Sequence, residues 1–174
     1  MNIVRRLFPK VRTLRLEDSI TDDNAKDCIA KLLFWRMEDS KSPGRIEIES
    51  PGGSVTATFA ILDTMAFVGF PIHTHCPTFA GGVAALILAR GTKGCRSAGK
   101  DAQIILCRTQ GGAAGPATDP EQVVKFLMKM SQRILTELSL ATGRTLEEVA
   151  EAQENERYFS EEEACAFGLI DRVS

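Results

Sequence analysis

The chain has 174 residues, 44% of them apolar and 25% charged, with a formal net charge of -2. That length suits one globular domain with a sizeable core. The near-neutral charge gives no reason to expect nucleic acid or an anionic membrane as partner. No apolar run approaches the roughly 20 residues that cross a bilayer. The basic opening MNIVRRLFPK runs into charged, alternating sequence instead of an apolar stretch, so a secretory signal is not expected. Five cysteines, at 28, 76, 95, 107 and 165, have no metal-type spacing and suit unpaired thiols in a reducing space, the cytoplasm or its plastid-stroma equivalent.

VRTLRL (11–16) alternates and ends in a turn-prone EDS, which predicts a short strand. Thr21 or Asp22 can cap a helix to about Met37 whose apolar face is Ala25, Cys28, Ile29, Leu32, Leu33 and Trp35. RIEIE (45–49) alternates as a strand, SPGGS (50–54) breaks it, and an apolar helix follows to Gly69. PIHTHC (71–76) is the next strand, succeeded by a small-residue elbow at Ala80, Gly81 and Gly82 and a buried helix over 81–91. Extended pieces at about 95–98 and 103–107 precede the run TQGGAAGPA. Asp119, Pro120 and Glu121 form a helix start, and apolar positions from Val123 to Leu138 carry that helix to about Thr142. Thr145 with Glu148 and Ser160 with Glu163 read as capping boxes of two further helices, and LIDRV (169–173) as a last strand. The alternation of strands and helices over the first ninety residues predicts right-handed crossovers and a mainly parallel sheet.

The stretch IESPGGSVTATFAILDTMAF closely resembles the strand, glycine-rich loop and helix of the proteolytic subunit of Clp proteases. GTKGCRS, ATDPE and RYFSEEEACAFGLIDRV resemble later segments of that family in the same order, so the likeness runs from about residue 10 to residue 173. It implies an α/β fold of the Clp/crotonase type, a spiral of ββα-like units with a protruding handle helix. The whole chain, 1–174, is then a single domain, with its head at 1–107 and 143–174 and its handle at 108–142.

The family is an ATP-dependent serine endopeptidase with a Ser, His, Asp triad, and the resemblance fixes where each member should stand. The nucleophile's place holds Gly82, the general base's place Cys107, and the orienting acid's place Glu156. A triad needs a hydroxyl, a base to take its proton and a group to orient the base. The first two are missing here, so a degenerate, non-catalytic site is expected. The backbone N–H groups of Gly53 and Val83 fall at the family's two oxyanion donors, and such a hole with binding alone leaves roughly 10³–10⁴-fold acceleration over water. Ser50, Ser54 and Thr78 are read as turn and capping residues, and Cys107 as structural with only Arg108 as a cationic neighbour. His73 and His75 share one face of a strand near Cys76, but two ligands at that spacing make no metal site; no metal or cofactor is expected.

The resemblance also implies seven-membered rings that stack through the handle, with itself or with an active subunit. Gly111, Gly112, Asp119, Phe126 and Met130 are its expected ring-to-ring residues. The family's ATPase docks into apolar clefts lined by tyrosines on the strand before SPGG, where this chain has Arg45 and Glu47. Burying those charges under an apolar loop costs several kcal/mol unless they are paired, so direct ATPase docking is in doubt. Three other readings stay open: a standalone homo-oligomer, a residual endopeptidase in a shifted register, and a crotonase-like acyl-CoA binder.

Overall fold

The computed structural model describes residues 12–108 and 120–174. Its first strand, β1 (Arg12–Glu17), alternates buried and exposed side chains. Helix α1 (Asp22–Glu38) opens on a reciprocal cap: Thr21 Oγ1 accepts the Asn24 N–H and Asn24 Oδ1 accepts the Thr21 N–H. Ala25, Cys28, Leu32 and Trp35 are buried, whereas Ile29 is half-buried and Leu33 more exposed than expected of the apolar face. Strand β2 (Gly44–Glu49) follows, then α2 (Val55–Val68), capped by the Ser54 side chain, then β3 (Ile72–Cys76).

The elbow differs from the expected strand-to-helix step. Phe79–Gly81 form a short strand, β4, and the helix proper, α3 (Val83–Ala89), begins two residues later than expected. All seven α3 residues are buried, which is why its sequence is apolar all round and lacks a helical period. Then come β5 (Arg96–Ala98), β6 (Gln103–Leu106), α4 (Pro120–Thr142), α5 (Leu146–Glu154), β7 (Arg157–Phe159), α6 (Glu161–Phe167) and β8 (Arg172–Val173). Both expected capping boxes form: Thr145 with Glu148, and Ser160 with Glu163. The last strand is shorter than LIDRV, because Leu169 and Ile170 are still held by the Ala164 carbonyl in the turn closing α6.

Two sheets form. The larger has the order β1-β2-β3-β5-β8 with every pair parallel, and the smaller has β4-β6-β7 with β6 and β7 antiparallel. Leu14, Leu16, Ile46, Ile48, Ile72 and Cys76 line the buried face of the large sheet, and α3 fills the centre of the core. One buried cation ties the layers. Arg96 donates to the carbonyls of Ala89, Ala141 and Gly168 at 3.0, 3.0 and 2.8 Å, and pairs with Asp171 at 2.6 Å. The ends of α3, α4 and α6 therefore meet on a single guanidinium. This is the mixed α/β, parallel-sheet architecture expected of the Clp/crotonase type. On α4 only the second half of the apolar stripe enters the core: Ile134 and Leu138 are buried, and Phe126 is 47% exposed.

Candidate functional site

The glycine-rich loop after β2 is held on both sides by backbone. Ser50 is fully buried, with its N–H on the Phe79 carbonyl, its carbonyl on the Gly81 N–H and its hydroxyl accepting the Gly52 N–H at 3.1 Å. On the other side, the Ile20 N–H donates to Gly52 at 2.7 Å, and the Ser54 N–H donates to Ile20 at 2.8 Å. A Cβ on Gly53, whose φ is 147°, would stand 2.3 Å from the Ile20 carbonyl oxygen. Only glycine admits this approach.

Gly82 turns the chain from β4 into α3 at φ 52° and ψ -119°, anchored by its N–H on the Ile105 carbonyl. This is the sharp, strained geometry at which hydrolase elbows present a nucleophile. A Cβ there would meet the Cys107 sulfur at 3.3 Å and the Pro51 carbonyl oxygen at 3.9 Å. A side chain there would need the end of Cys107 to give by a few tenths of an ångström.

Gly53, Gly82, Val83, Cys107 and Glu156 line one cavity of about 310 Å³, with Arg108 and Gln153 completing its wall. The five residues singled out in the sequence for this site thus converge from four separate regions of the chain. Among the described residues the cavity wall holds no serine or threonine hydroxyl and no imidazole. Burial pushes the Cys107 thiol up, the Glu156 carboxylate pushes it up further, and the Gly82 N–H draws it partly back. The result is a neutral thiol, neither a base nor a ready nucleophile. Glu156 itself sits at the rim with φ 46°, and Arg108 pairs with Glu154 at 3.3 Å instead of with the sulfur. Among the described residues no acceptor takes the N–H of Gly53 or of Val83.

Ser54 caps α2, and Thr78 donates to Glu49 at 2.6 Å, so neither supplies a replacement hydroxyl. His73 and His75 lie on the open face of the large sheet, away from the cavity, and His75 Nδ1 is 3.0 Å from Ser97 Oγ. Among the described residues no cluster of His, Cys, Asp or Glu could hold a metal ion. Arg45 and Glu47 pair at 3.2 Å on the same open face. Gly111, Gly112 and Asp119 lie outside the described residues; Phe126 is exposed on α4, and Met130 packs against the edge of the core. Sequence reasoning missed Gln153, which is buried at the cavity wall and donates to the Cys107 carbonyl at 3.3 Å. Its only signal was its spacing after Val149 and Ala152, which places it on the buried side of α5.

A larger hollow of about 560 Å³ between α5, β7 and α6 shares the Glu156 wall, but Arg144 is already held there by Glu148 and by the Ala166 and Phe167 carbonyls. Among the described residues no helix is long and apolar enough to cross a membrane.

The comparisons agree with this geometry over the full length. Residues 1–174 match the family described as Clp protease. The chain is 41% identical over 164 residues to the ATP-dependent Clp protease proteolytic subunit 2 of Gloeobacter violaceus, covering 93% of this chain and 75% of that protein. It is 36% identical to the subunit 2 of Chlamydia pneumoniae, covering 99% of this chain and 85% of that one. Against the subunit 1 of Prochlorococcus marinus the identity is 38%, over 99% of this chain and 87% of the relative. With the glycine-rich loop, the elbow and the parallel sheet in place, this chain belongs to the Clp protease family.

Proposed function

We propose that this chain is a non-catalytic subunit of a Clp-type ATP-dependent protease, contributing structure and regulation to a ring without cutting peptides itself. One observation supports the reading: Gly82 and Cys107, which by resemblance stand at the family's nucleophile and base positions, line one cavity whose described wall offers neither hydroxyl nor imidazole. Peptide hydrolysis needs an attacking oxygen and a base within hydrogen-bond reach of it. A neutral thiol beside a bare glycine provides neither. Gly53 and Val83 still offer two N–H groups to a peptide carbonyl, so the cavity retains the means to hold an extended segment without cleaving it.

The same reading gives the subunit an assembly role, as part of a seven-membered ring or a pair of stacked rings, with itself or with an active subunit. The exposed Val124, Phe126 and Met128 on α4 support it, since large apolar side chains exposed on both sides of a long helix ask for partner surfaces. Gly111, Gly112, Asp119 and Met130 belong to the same proposed ring-to-ring contact. The Arg45–Glu47 pair offers a docking loop no apolar anchor, which argues against ATPase docking through this face.

The test is intact-mass analysis after a serine-reactive fluorophosphonate, alongside hydrolysis of short fluorogenic peptides. No adduct and no turnover are expected for the natural chain. The triple variant Gly82→Ser, Cys107→His, Glu156→Asp is expected to gain probe labelling, because the nearest atom to a Cβ at Gly82 is the end of the side chain at 107, which the variant itself replaces. A stoichiometric adduct with turnover in the natural chain overturns the reading and assigns the nucleophile to another serine.

A further inference from the structure

Gln153 is out of keeping with its neighbours. It lies on the buried side of α5 with Val149 and Ala152, and only 8% of it is exposed. A glutamine is seldom buried so far unless both ends of its amide find partners. Here one end does. The side-chain nitrogen donates to the Cys107 carbonyl at 3.3 Å, and only an NH2 can donate there, so the oxygen must point elsewhere. That oxygen accepts no hydrogen bond among the described residues, and it is not sealed in, because Gln153 lines the Gly82 cavity.

The local structure does not need this oxygen. The main-chain carbonyl of Gln153 accepts the N–H of Asn155 and, at 3.3 Å, that of Glu156. Gln153 thus holds Cys107 through its side-chain nitrogen and the Glu156 turn through its backbone, with the side-chain oxygen left over.

The free groups around the cavity define what can fill it. The Gly53 and Val83 N–H groups have no acceptor among the described residues, so an occupant must bring an oxygen to them. The Gln153 oxygen requires a donor. Glu156 in the same wall disfavours an anion, and the wall's Arg108 is already paired with Glu154 at 3.3 Å. An uncharged chain carrying both acceptors and donors meets these demands, and a peptide main chain is such a chain.

We propose that Gln153 is a ligand-binding residue of this cavity, its side-chain oxygen accepting one main-chain N–H of an uncleaved peptide segment. This rests on the non-catalytic reading of the cavity and adds a determinant of register to it. Two N–H donors alone accept any oxygen, whereas a fixed acceptor selects which amide of the segment lies opposite. At that register the segment cannot carry proline, which has no N–H to give.

Fluorescence anisotropy of the full chain with a labelled, capped peptide of Leu and Ala tests it. The comparison is a series of esters of that peptide, each with one main-chain N–H replaced by oxygen. One ester is expected to bind the natural chain about tenfold more weakly, the effect of leaving a buried acceptor unpaired. Gln153→Met keeps the length of the side chain and removes the amide, and it should bind this ester and the parent peptide alike. A purely structural role would weaken every peptide equally and leave the discrimination intact. Where Gln153→Met melts early, Gln153→Asn, which draws the amide back by one carbon, is expected to lose the same discrimination. The proposal is overturned by a natural chain that distinguishes no ester, by discrimination that survives in the variants, or by a peptide that does not bind. Absence of binding without a fluorophosphonate adduct removes this inference alone, whereas a stoichiometric adduct removes the non-catalytic reading beneath it.

Discussion

Gly53 and Gly82 face the same cavity, yet a methyl group has different consequences at each. At Gly53 it meets the main-chain oxygen of Ile20 at 2.3 Å, and main chain cannot step aside. At Gly82 its nearest neighbour is the end of the Cys107 side chain at 3.3 Å, which can rotate. Gly82→Ala should therefore cost about 1–3 kcal/mol, from the backbone conformation alone, and Gly53→Ala clearly more. Urea unfolding of the two variants compares them directly. The thiols make a second prediction at this scale. Burial pushes Cys28 and Cys76 up to about 12, and Cys107 is raised by burial and by Glu156. Alkylation of Cys107 by iodoacetamide should be slow at neutral pH and accelerate only at alkaline pH, with Cys28 and Cys76 inert until the chain unfolds. Glu156→Gln should speed the Cys107 reaction at any given pH, because it removes a negative charge that disfavours the thiolate. An unchanged rate would separate Glu156 from the sulfur.

The elements depend on one another most through Arg96 and Asp171. A guanidinium that is 3% exposed and spends its donors on three helix ends and one carboxylate leaves all of them unpaired when removed. Arg96→Met is expected to cost about 3–5 kcal/mol, the range for stripping one partner from a buried pair. Burial raises the Asp171 carboxyl, but the hydrogen bonds and charge of Arg96 and the Gly94 N–H outweigh it, so its net shift is downward. A carboxyl lowered by folding stabilises the fold fully above its ordinary range near 4, and that contribution disappears as pH falls through the lowered value. Acid unfolding of the natural chain should therefore be steeper on this limb than that of Asp171→Asn, which has already lost the interaction. The capping boxes act more locally. Thr145→Ala or Ser160→Ala should each cost about 1 kcal/mol.

At the scale of the whole molecule, α4 has the most unfinished surface. Ile134 and Leu138 are buried near its C-terminal end, while Val124, Phe126 and Met128 are 54, 47 and 68% exposed in its first half. Apolar side chains exposed on both sides of a helix whose other end is anchored in the core are the shape of an assembly element. Native mass spectrometry should find species well above the 19.0 kDa of one chain, alone or with an active subunit. Phe126→Glu should move the population to smaller assemblies while leaving the thermal melt of the chain close to the natural one. A natural chain that stays monomeric in every mixture would remove the assembly role.

Much of this could be read in the chain itself. The alternation in RTLRLE and RIEIE, the turn chemistry of SPGG and the capping boxes are local, set by side chains within a few residues of one another, so strands, helices and their caps were legible. The three-residue strands Phe79–Gly81 and Arg157–Phe159 were not, because strands so short exist only through pairing with β6, which is far from both in sequence or direction. Gly82, Cys107 and Glu156 could be nominated from family likeness; that they share one cavity with Gly53 and Val83 was decided by packing across long loops. The same holds for Arg96 holding three helix ends, and for the buried Gln153 in the cavity wall. Local pattern determines which elements form, because its causes are near neighbours. Where polar groups find partners, and where they find none, is determined only when sheets and helices close over one another and water leaves.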